Sequence, residues 1–189
     1  MEDNNITSKK VTTQATSKIP RVYIKVSCKG GVVPKKADDY AIGYDLYCPD
    51  DILIPAHSRK VIDMGIAMSL PRGMEAKIEA RSGHSLKGMD GLAYERVVTK
   101  RFLGIPIKSE VMKRTRFNAD VLTGKIDPGY HGNIGVIIKN DDCELVISKG
   151  TKIAQMTFYK AMFPSLNQVV RLVGYDRGGG FGSTDKKKE

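Results

Sequence analysis

One stretch early in the chain, ARSGHS at residues 80–85, has side chains suited to binding an anion and follows directly on a strand-like run. Arg81, Ser82 and Gly83 can present a guanidinium fork, a hydroxyl group and bare backbone N–H groups to one cluster of oxyanions. Phosphate is the natural ligand for such a set. The same residues also fit a plain β-turn with a solvated arginine, and this short stretch alone does not decide between the two.

A second stretch, GKIDPGYHGNIGV at residues 124–136, holds an aspartate between an apolar residue and a rigid turn. A carboxylate fixed in this way, here Asp127, can orient or deprotonate a water molecule. Tyr130 can lie against a sugar ring. The alternative interpretation is that Asp127 only caps a hairpin turn.

Two further stretches contain residues that suit ligand binding. In KGTKIAQM, residues 149–156, Gln155 is a polar residue in a buried-looking strand, so its amide must bond a neighbouring strand or reach a ligand or its metal-bound waters. In YDRGGGFGST, residues 175–184, no lysine precedes Ser183, so the pattern is not a Walker A phosphate loop. Its glycines also fit a disordered tail.

The segments that would position these residues are predicted to be short strands. Alternating apolar and polar residues recur between turn signals, which favours an all-β sandwich or barrel over βαβ units. Residues 85–122 are the exception, because they are rich in Lys and Arg and have mixed periodicity, which allows a partly helical segment. The predicted strands are RVYIKVSC (21–28), DILI (51–54), RKVIDMGIAMSL (59–70), GMEAKIEA (73–80), NIGVIIKN (133–140), CELVIS (143–148), TKIAQMTFYKA (151–161) and QVVRLV (168–173).

The composition is that of one soluble globular domain, with 189 residues, 41% hydrophobic and 28% charged, and without an apolar run long enough to span a membrane. Cys28, Cys48 and Cys143 are odd in number and form no CxxC pair, so neither a disulfide framework nor a zinc site is predicted. We therefore expect a reducing, cytoplasmic location. The net charge of +10 leaves polyanionic ligands open.

Taken in order, five short stretches resemble the five motifs of the trimeric dUTPases. The resemblance spans roughly residues 20–184, preceded by a flexible basic tail at 1–19. It implies a jelly-roll-like β-barrel or sandwich subunit at 20–174, and a homotrimer whose C-terminal arms, residues 175–189, close the sites of neighbouring subunits. It also implies hydrolysis of dUTP to dUMP and pyrophosphate with Mg2+. The five stretches are AIGYDLYCP (41–49), ARSGHS (80–85), GKIDPGYHG (124–132), GTKIAQM (150–156) and RGGGFGST (177–184).

The resemblance also implies a role for each matched residue. Asp127 would orient or activate the water that attacks the α-phosphorus, and Tyr130 would stack beneath the deoxyribose. Asp45 and Gln155 would lie near the metal-bound waters, contacting the metal through water. The phosphates would be bound by Arg81, Ser82, Gly83, Arg177, Gly182, Ser183 and Thr184, and the uracil by Phe181 and by the hairpin residues Val121, Gly124, Lys125, Ile126 and Gly135.

The chain departs from the family pattern in three places. Pro-Gly follows Asp127 where many members have a second acidic group, and Asp185 replaces a usual final glycine. The stretch after Ser85 is longer than usual, which predicts an insertion at about 90–118. That insertion is either a solvated surface excursion or a binding element for an acidic or nucleic-acid partner.

Two other functions remain as alternatives. A dCTP deaminase of the same fold would place a catalytic Glu in the strand after the hairpin, where residues 133–140 contain none and Ile137 stands about there. A non-catalytic nucleotide-binding or regulatory protein would bind a macromolecule through the basic segments in a salt-sensitive way and show no turnover. The preferred interpretation requires neither nucleic acid nor a membrane.

Overall fold

The computed structural model describes residues 19–27, 30–176 and 178, and within them the chain is built almost entirely of strands. One α-helix, α1 (Ser82–Lys87), lies in this described part. The strands are β1 (Tyr23–Val26), β2 (Lys35–Lys36), β3 (Tyr44–Tyr47), β4 (Ile52–Ile54), β5 (Ser58–Ser69), β6 (Met74–Glu79), β7 (Met89–Phe102), β8 (Ile105–Phe117), β9 (Ala119–Leu122), β10 (Gly124–Ile126), β11 (Asn133–Asn140), β12 (Leu145–Ile147) and β13 (Lys152–Lys160).

The strands form three antiparallel sheets. Their orders are β1-β5-β11-β9, β10-β6-β13-β3-β2 and β4-β12-β7-β8. The all-β prediction is therefore confirmed. The sheets are open rather than closed into a barrel, an arrangement compatible with a jelly-roll-like sandwich.

The core follows from the alternation seen in the sequence. In β11, the side chains of Ile134, Val136 and Ile138 are buried while their neighbours are half-buried, so one face of the strand turns inward. The same hydrophobic cluster includes Met156 from the second sheet and Ile147 from the third. Apolar side chains from all three sheets thus share one core, which makes the chain a single folding unit.

The predicted hairpin around the aspartate is formed by β9 and β11, which pair through Val121 and Ile138. Between them, β10 leaves this pair and instead joins β6 in the second sheet, with Gly124 opposite Ile78. The segment therefore links two sheets, and the turn after β10 lies at the point where the chain crosses back.

In the segment 85–122, predicted to be partly helical, only residues 85–87 are helical, as the end of α1, and the proposed insertion at about 90–118 is a β-hairpin. Strands β7 and β8 pair from their base, Met89 with Phe117, to a two-residue turn at Leu103 and Gly104, whose φ angles are 48° and 81°. Both base residues are buried, whereas most of the outer hairpin is exposed on both faces. A strand with two solvated faces shows no simple alternation, which explains the mixed periodicity.

The strand predicted at residues 168–173 is absent from the described part of the chain, and that prediction is also wrong. Val170, Leu172 and Val173 are almost fully exposed there and belong to no sheet. Alternation gives a segment the potential to be a strand, but a strand forms only where a partner edge is available.

Helix α1 is far shorter than a membrane span, and within the residues described here the structure contains no helix that is long and apolar enough to cross a bilayer. Of the predicted tail at residues 1–19, all but Ile19 lie outside the described residues, as does most of the predicted arm at 175–189.

Candidate active site

Three side chains predicted or found near the phosphate-binding stretch line up across the second sheet. Gln155 of β13 lies directly opposite Asp45 of β3 on one side and Glu79 of β6 on the other. Residues directly opposite in antiparallel strands point to the same face. The sheet thus sets a row of polar side chains next to Arg81, which follows β6 by two residues.

Asp45 connects this row to two cationic side chains. One carboxylate oxygen, Oδ1, accepts a hydrogen bond from Nε of Arg81 at 3.0 Å, and Oδ2 forms an ion pair with Nζ of Lys152 at 2.8 Å. The carboxylate is buried, with 10% of its side chain exposed, so these charge-assisted bonds hold it strongly. Among the described residues, the Arg81 guanidinium bonds protein only through Nε, so its two Nη groups can bind an anion.

Gln155 is fixed by a close fit with a glycine. Its Nε2 donates a hydrogen bond to the backbone carbonyl of Ala80 at 3.1 Å. A Cβ atom on Gly43 would lie only 2.7 Å from the Gln155 Oε1 atom. Gly43, in the stretch AIGYD, therefore leaves the space in which the amide lies.

Ser82 and Gly83 are exposed at the start of α1, immediately after Arg81. Arg81 is the residue before the helix, with extended backbone angles and without a side-chain cap on the helix. Since the first N–H groups of a helix have no partner within it, Ser82 and Gly83 present backbone donors and one hydroxyl group beside the guanidinium. Their role in phosphate binding stays a prediction.

His84 lies in the stretch ARSGHS, where the sequence predicts no role for it. Its environment in the structure is unusual. It is 6% exposed, it hydrogen-bonds the backbone of Ile153, and its Nδ1 has no hydrogen-bond partner within the described structure. Burial, followed by the positive charge of Arg81, lowers the pKa of the imidazole below its ordinary value. The sequence feature that could have revealed this residue is a histidine inside a short motif that otherwise carries small and polar residues.

The second predicted group lies at the turn after β10. Asp127 is exposed, and its backbone carbonyl accepts a hydrogen bond from the Tyr130 N–H at 3.0 Å. The Tyr130 hydroxyl donates to the carbonyl of Asn133 at 2.7 Å, and the Asn133 amide donates to Asp63 at 2.9 Å. These bonds fix the turn and leave the Asp127 carboxylate and one face of the tyrosine ring toward solvent.

The residues predicted to surround a base lie on two sheets: Gly124, Lys125 and Ile126 on β10 at the edge of the second sheet, and Val121 and Gly135 on β9 and β11 of the first. Val121 and Ile126 are buried, while Gly124 and Lys125 are not, and Gly135 follows a register irregularity at the start of β11. Strand β10 pairs only with β6 in the described structure, so its outer backbone groups have no strand partner.

Lys125, on this edge, forms an ion pair with Glu75 across the β10–β6 ladder. Its Nζ lies 2.8 Å from the Glu75 Oε2 atom. The hydrogen bond and charge of Glu75 raise the pKa of Lys125, so the amine stays charged. The Lys125–Glu75 ion pair holds in place the end of β10 that leads into Asp127.

The structure does not bring the two halves of the site together within one chain. Ile126 lies opposite Ala76, so continuing the register places Asp127 level with Glu75. Because β6 runs antiparallel to β10, the chain moves away from Asp127 as it runs from Glu75 to Arg81. These six residues correspond to about 20 Å along an extended chain. Asp127 and Arg81 of one chain are thus at opposite ends of the same ladder.

The donor set near Arg81 suits only a loosely held magnesium ion. Within the described part of the chain, no group of three or more His, Cys, Asp or Glu residues could hold a metal. Asp45 already forms two ion pairs but keeps further lone pairs. Because Mg2+ retains several waters and is usually bound by one or two carboxylates plus substrate phosphates, Asp45 and Gln155 fit contacts through water rather than a protein cage.

The remaining predicted phosphate and base ligands, Arg177, Phe181, Gly182, Ser183 and Thr184, lie outside the described residues. Asp185, the departure from the motif, lies outside them as well.

Two solved phage structures have a similar fold. The fold is similar to that of Staphylococcus bacteriophage 80alpha dUTPase with dUpNHpp, with a TM-score of 0.67 at 24% identity over 86% of this chain and 97% of that one. A dUTPase variant from phage phi11 of S. aureus, described with a structural Mg(II) ion, gives a TM-score of 0.62 at 21% identity, covering 80% of this chain and 97% of that one. At these identities the likeness shows the fold.

Sequence comparison gives the family. The dUTPase family model matches residues 29–123 and again 116–185. The chain is 36% identical to the deoxyuridine 5'-triphosphate nucleotidohydrolase of rabbitpox virus (strain Utrecht), over 80% of this chain and 84% of that protein. The vaccinia virus (strain Copenhagen) protein with the same name is 35% identical with the same coverage. With the motifs in order on a matching all-β fold, the chain belongs to the dUTPase family.

Proposed function

We propose that this chain hydrolyses dUTP to dUMP and pyrophosphate, with Asp127 as the catalytic residue. The observation that carries the proposal is the Asp45–Arg81 ion pair beside Gln155, whose amide bonds the Ala80 carbonyl. The pair leaves guanidinium N–H groups free beside the exposed donors of α1. The names of the viral relatives support the same substrate.

In this mechanism, a water molecule attacks the α-phosphorus in line with the leaving pyrophosphate. The Asp127 carboxylate orients that water and accepts its proton as the new P–O bond forms. The bond from the α-phosphorus to the bridging oxygen breaks, and pyrophosphate leaves. Such a reaction depends chiefly on positioning and on neutralising the charge of the phosphates, which Arg81, Ser82 and Gly83 supply.

Magnesium is the expected cofactor, and its chemistry is to neutralise charge on the phosphate oxygens. Asp45 and Gln155 are the residues that would reach its bound waters. Lys152 and Arg81 hold the Asp45 carboxylate in one orientation for this purpose.

Selectivity for the nucleoside is assigned to the turn and the sheet edge next to Asp127. The hydroxyl of Tyr130 is tied to Asn133, so its ring is held in one place and can stack beneath a deoxyribose, leaving little room for a 2′-hydroxyl group. The unpaired backbone edge of β10, at Gly124–Ile126, can hydrogen-bond uracil. Within the family fold, Val121 and Gly135 would complete this pocket.

A homotrimer with arm exchange is proposed on two features of the single chain. Asp127 and Arg81 of one subunit are about 20 Å apart along the ladder, so a complete site needs two subunits. The segment after β13 exposes Leu166, Val170 and Val173, each more than 90% exposed. A large apolar surface of this kind is expected to be covered, and a neighbouring subunit is the natural partner. The arm that follows would bring Arg177, Phe181 and Gly182–Thr184 over that subunit's ligand.

A reducing, cytoplasmic location is proposed from the two described cysteines, which are both free thiols. Burial raises the pKa of Cys48 to about 11, so its thiol stays protonated and unreactive.

The function is tested by offering the protein dUTP, UTP, dTTP and dCTP with Mg2+ and measuring both pyrophosphate and ammonia. We expect pyrophosphate from dUTP alone. Ammonia from dCTP would establish a deaminase instead, and similar rates for dUTP, UTP and dTTP would contradict the assignments of Tyr130 and β10.

The catalytic assignment is tested with Asp127→Asn, using Asp120→Asn as the matched control. Asp120 is an exposed aspartate on β9 with no role in the mechanism. We expect Asp127→Asn to lower kcat by at least about 100-fold while dUTP binding, measured by calorimetry, is kept, because only the proton acceptor is lost. An unchanged kcat would remove Asp127 from the mechanism.

A further inference from the structure

The two faces of the β7–β8 hairpin carry different side chains. Residues directly opposite each other in the ladder point to the same face, so the register assigns the paired side chains to one face or the other. One of them, which we name the cationic face, has five cations and only two carboxylates. Its charged members are Arg96, Arg101, Lys108, Arg114 and Arg116, with Asp90 and Glu110.

A β-bulge in β7 extends the cationic face toward the turn of the hairpin. The register shifts by one residue just before Lys100, where Thr99 is the extra residue. Without this shift, the alternation of β7 would place Lys100 on the cationic face and turn Arg101 away from it. With it, Arg101 lies opposite Pro106, on the same face as Lys108.

The cationic face keeps a net positive charge. Each of its carboxylates pairs with an arginine, Glu110 with Arg96 at 3.1 Å and Asp90 with Arg116 at 3.0 Å. Exposed ion pairs of this kind contribute little to stability, so such an arginine can exchange its partner for an external anion. Two cations of this face form no salt bridge within the described part of the chain, Arg101 and Lys108. The complementary ligand is therefore a polyanion.

The shape of the hairpin fits double-stranded DNA. Arg116 lies ten residues along β8 from Pro106, which corresponds to about 34 Å, close to one turn of B-DNA. The two strands are about 5 Å apart, and the major groove, about 12 Å wide, admits a two-stranded β-ribbon. Four of the five cations are arginines, whose guanidinium groups bind phosphate oxygens bidentately. Duplex RNA fits less well, because its major groove is deep and narrow.

A lipid bilayer would leave these cations unused. The exposed apolar side chains lie on the opposite face and at the turn, at Phe102, Leu103, Ile105, Ile107 and Val111. If the opposite face lay on a membrane, the cationic face would point into water. If only the turn entered the membrane, Arg114 would lie about 30 Å from it, because nine residues of β8 separate Arg114 from Ile105. That distance far exceeds the Debye length of about 8 Å.

We propose that the cationic face of the β7–β8 hairpin binds the phosphate backbone of double-stranded DNA. Contacts to phosphates fix a protein on the duplex and give affinity without reading the bases, so the binding is independent of sequence and weakens with salt. It does not rest on the proposed hydrolysis of dUTP, since none of the five cations is assigned to the candidate active site.

The test is the affinity of the full-length protein for a mixed-sequence DNA duplex of about two helical turns, measured by fluorescence anisotropy at several salt concentrations. The double variant Arg101→Ala/Lys108→Ala is compared with Lys100→Ala/Lys113→Ala, which removes the same charge from the opposite face of the same hairpin. We expect the Kd to rise at least about tenfold in the first variant, and the slope of log Kd against log salt to fall by about 2. The second variant should match the wild-type protein.

Urea midpoints equal to that of the wild-type protein show that both double variants are folded. Failure of the wild-type protein to bind the duplex would overturn the proposal, and so would equal weakening in the two variants. Unchanged binding by Arg101→Ala/Lys108→Ala would assign the DNA affinity to other basic segments and overturn it as well. Binding to phosphatidylserine vesicles without binding to the duplex would assign the hairpin to a membrane instead.

Discussion

Gly43 sets the position of the Gln155 amide, and no larger residue can take its place without moving that amide. An added Cβ would sit 2.7 Å from the Gln155 Oε1 atom. We expect Gly43→Ala to reduce kcat/KM for dUTP about tenfold or more, since small displacements of a positioning group are costly.

The control for this prediction is a double-mutant cycle. If the methyl group acts through the amide, Gly43→Ala should have almost no further effect in a Gln155→Ala background. Additive losses in the double variant would show that Gly43 acts by another route.

His84 should make the stability of the folded chain depend on pH in a defined direction. The pKa of its imidazole is lowered on folding from an ordinary value of 6.5. Above pH 6.5 the imidazole is neutral in both the folded and the unfolded chain, so its full contribution to the free energy of unfolding is present there. As pH falls below 6.5 and through the lower pKa of the folded state, the unfolded chain binds the proton more readily and stability is lost.

The measurement is the urea midpoint at pH 7.5 and pH 5.5 for the wild-type protein and for His84→Gln, which keeps a hydrogen-bond donor. We expect the wild-type midpoint to fall further than that of the variant. Equal falls in both proteins would mean that the buried imidazole is not the group responsible.

At the residue level, the motifs identified the polar groups but not what holds them. Asp45, Arg81 and Gln155 were named from their stretches, and the structure brings them together. Lys152 and Gly43 lie in the same stretches, but the sequence predicts no role for them. Their roles depend on which strands are neighbours, and adjacency of β3, β13 and β6 is a property of the fold that no local pattern carries.

The β7–β8 hairpin divides into a buried base and an exposed outer part, and the two should respond differently to mutation. Phe117 at the base is 1% exposed and lies in the core, so Phe117→Ala should destabilise the fold by about 3–5 kcal/mol. Denaturant unfolding measures this loss, and a change below about 1 kcal/mol would contradict the core assignment.

Replacing Glu95–Val111 with an Asn-Gly turn should leave a folded protein that hydrolyses dUTP within about threefold of the wild-type rate. The excised residues are largely exposed, while Asp90 and Arg114 stay in place. Loss of most dUTP hydrolysis in a folded variant would show that the outer hairpin takes part in catalysis.

Strand alternation identified most elements because it reports one buried face, as in β5, β11 and β13. It misjudged the hairpin because neither of its outer faces is buried, and charged residues such as Arg96 and Lys100 then carry no periodic signal. Residues 168–173 do alternate in sequence, yet no strand in the described part of the chain pairs with them. Local pattern thus indicates what a segment can form, whereas pairing depends on partners.

At the scale of the whole molecule, the single chain holds Asp127 and Arg81 apart. Asp127 is held by the β9–β11 hairpin and Arg81 by the end of β6, about 20 Å away along the ladder. A symmetric oligomer resolves this, because the turn of one subunit can approach the sheet row of the next. We propose that dUTP is hydrolysed in sites shared between subunits.

The most direct test of that claim combines two inactive variants, Asp127→Asn and Arg81→Ala, co-refolded from denaturant in equal amounts. Pyrophosphate release from dUTP is then compared with that of each variant refolded alone. Since a shared site can draw an intact Asp127 from one variant and an intact Arg81 from the other, we predict recovery of about a quarter of wild-type activity from two nearly silent proteins. A mixture as inactive as its components, beside an active wild-type protein refolded in the same way, would contradict the claim.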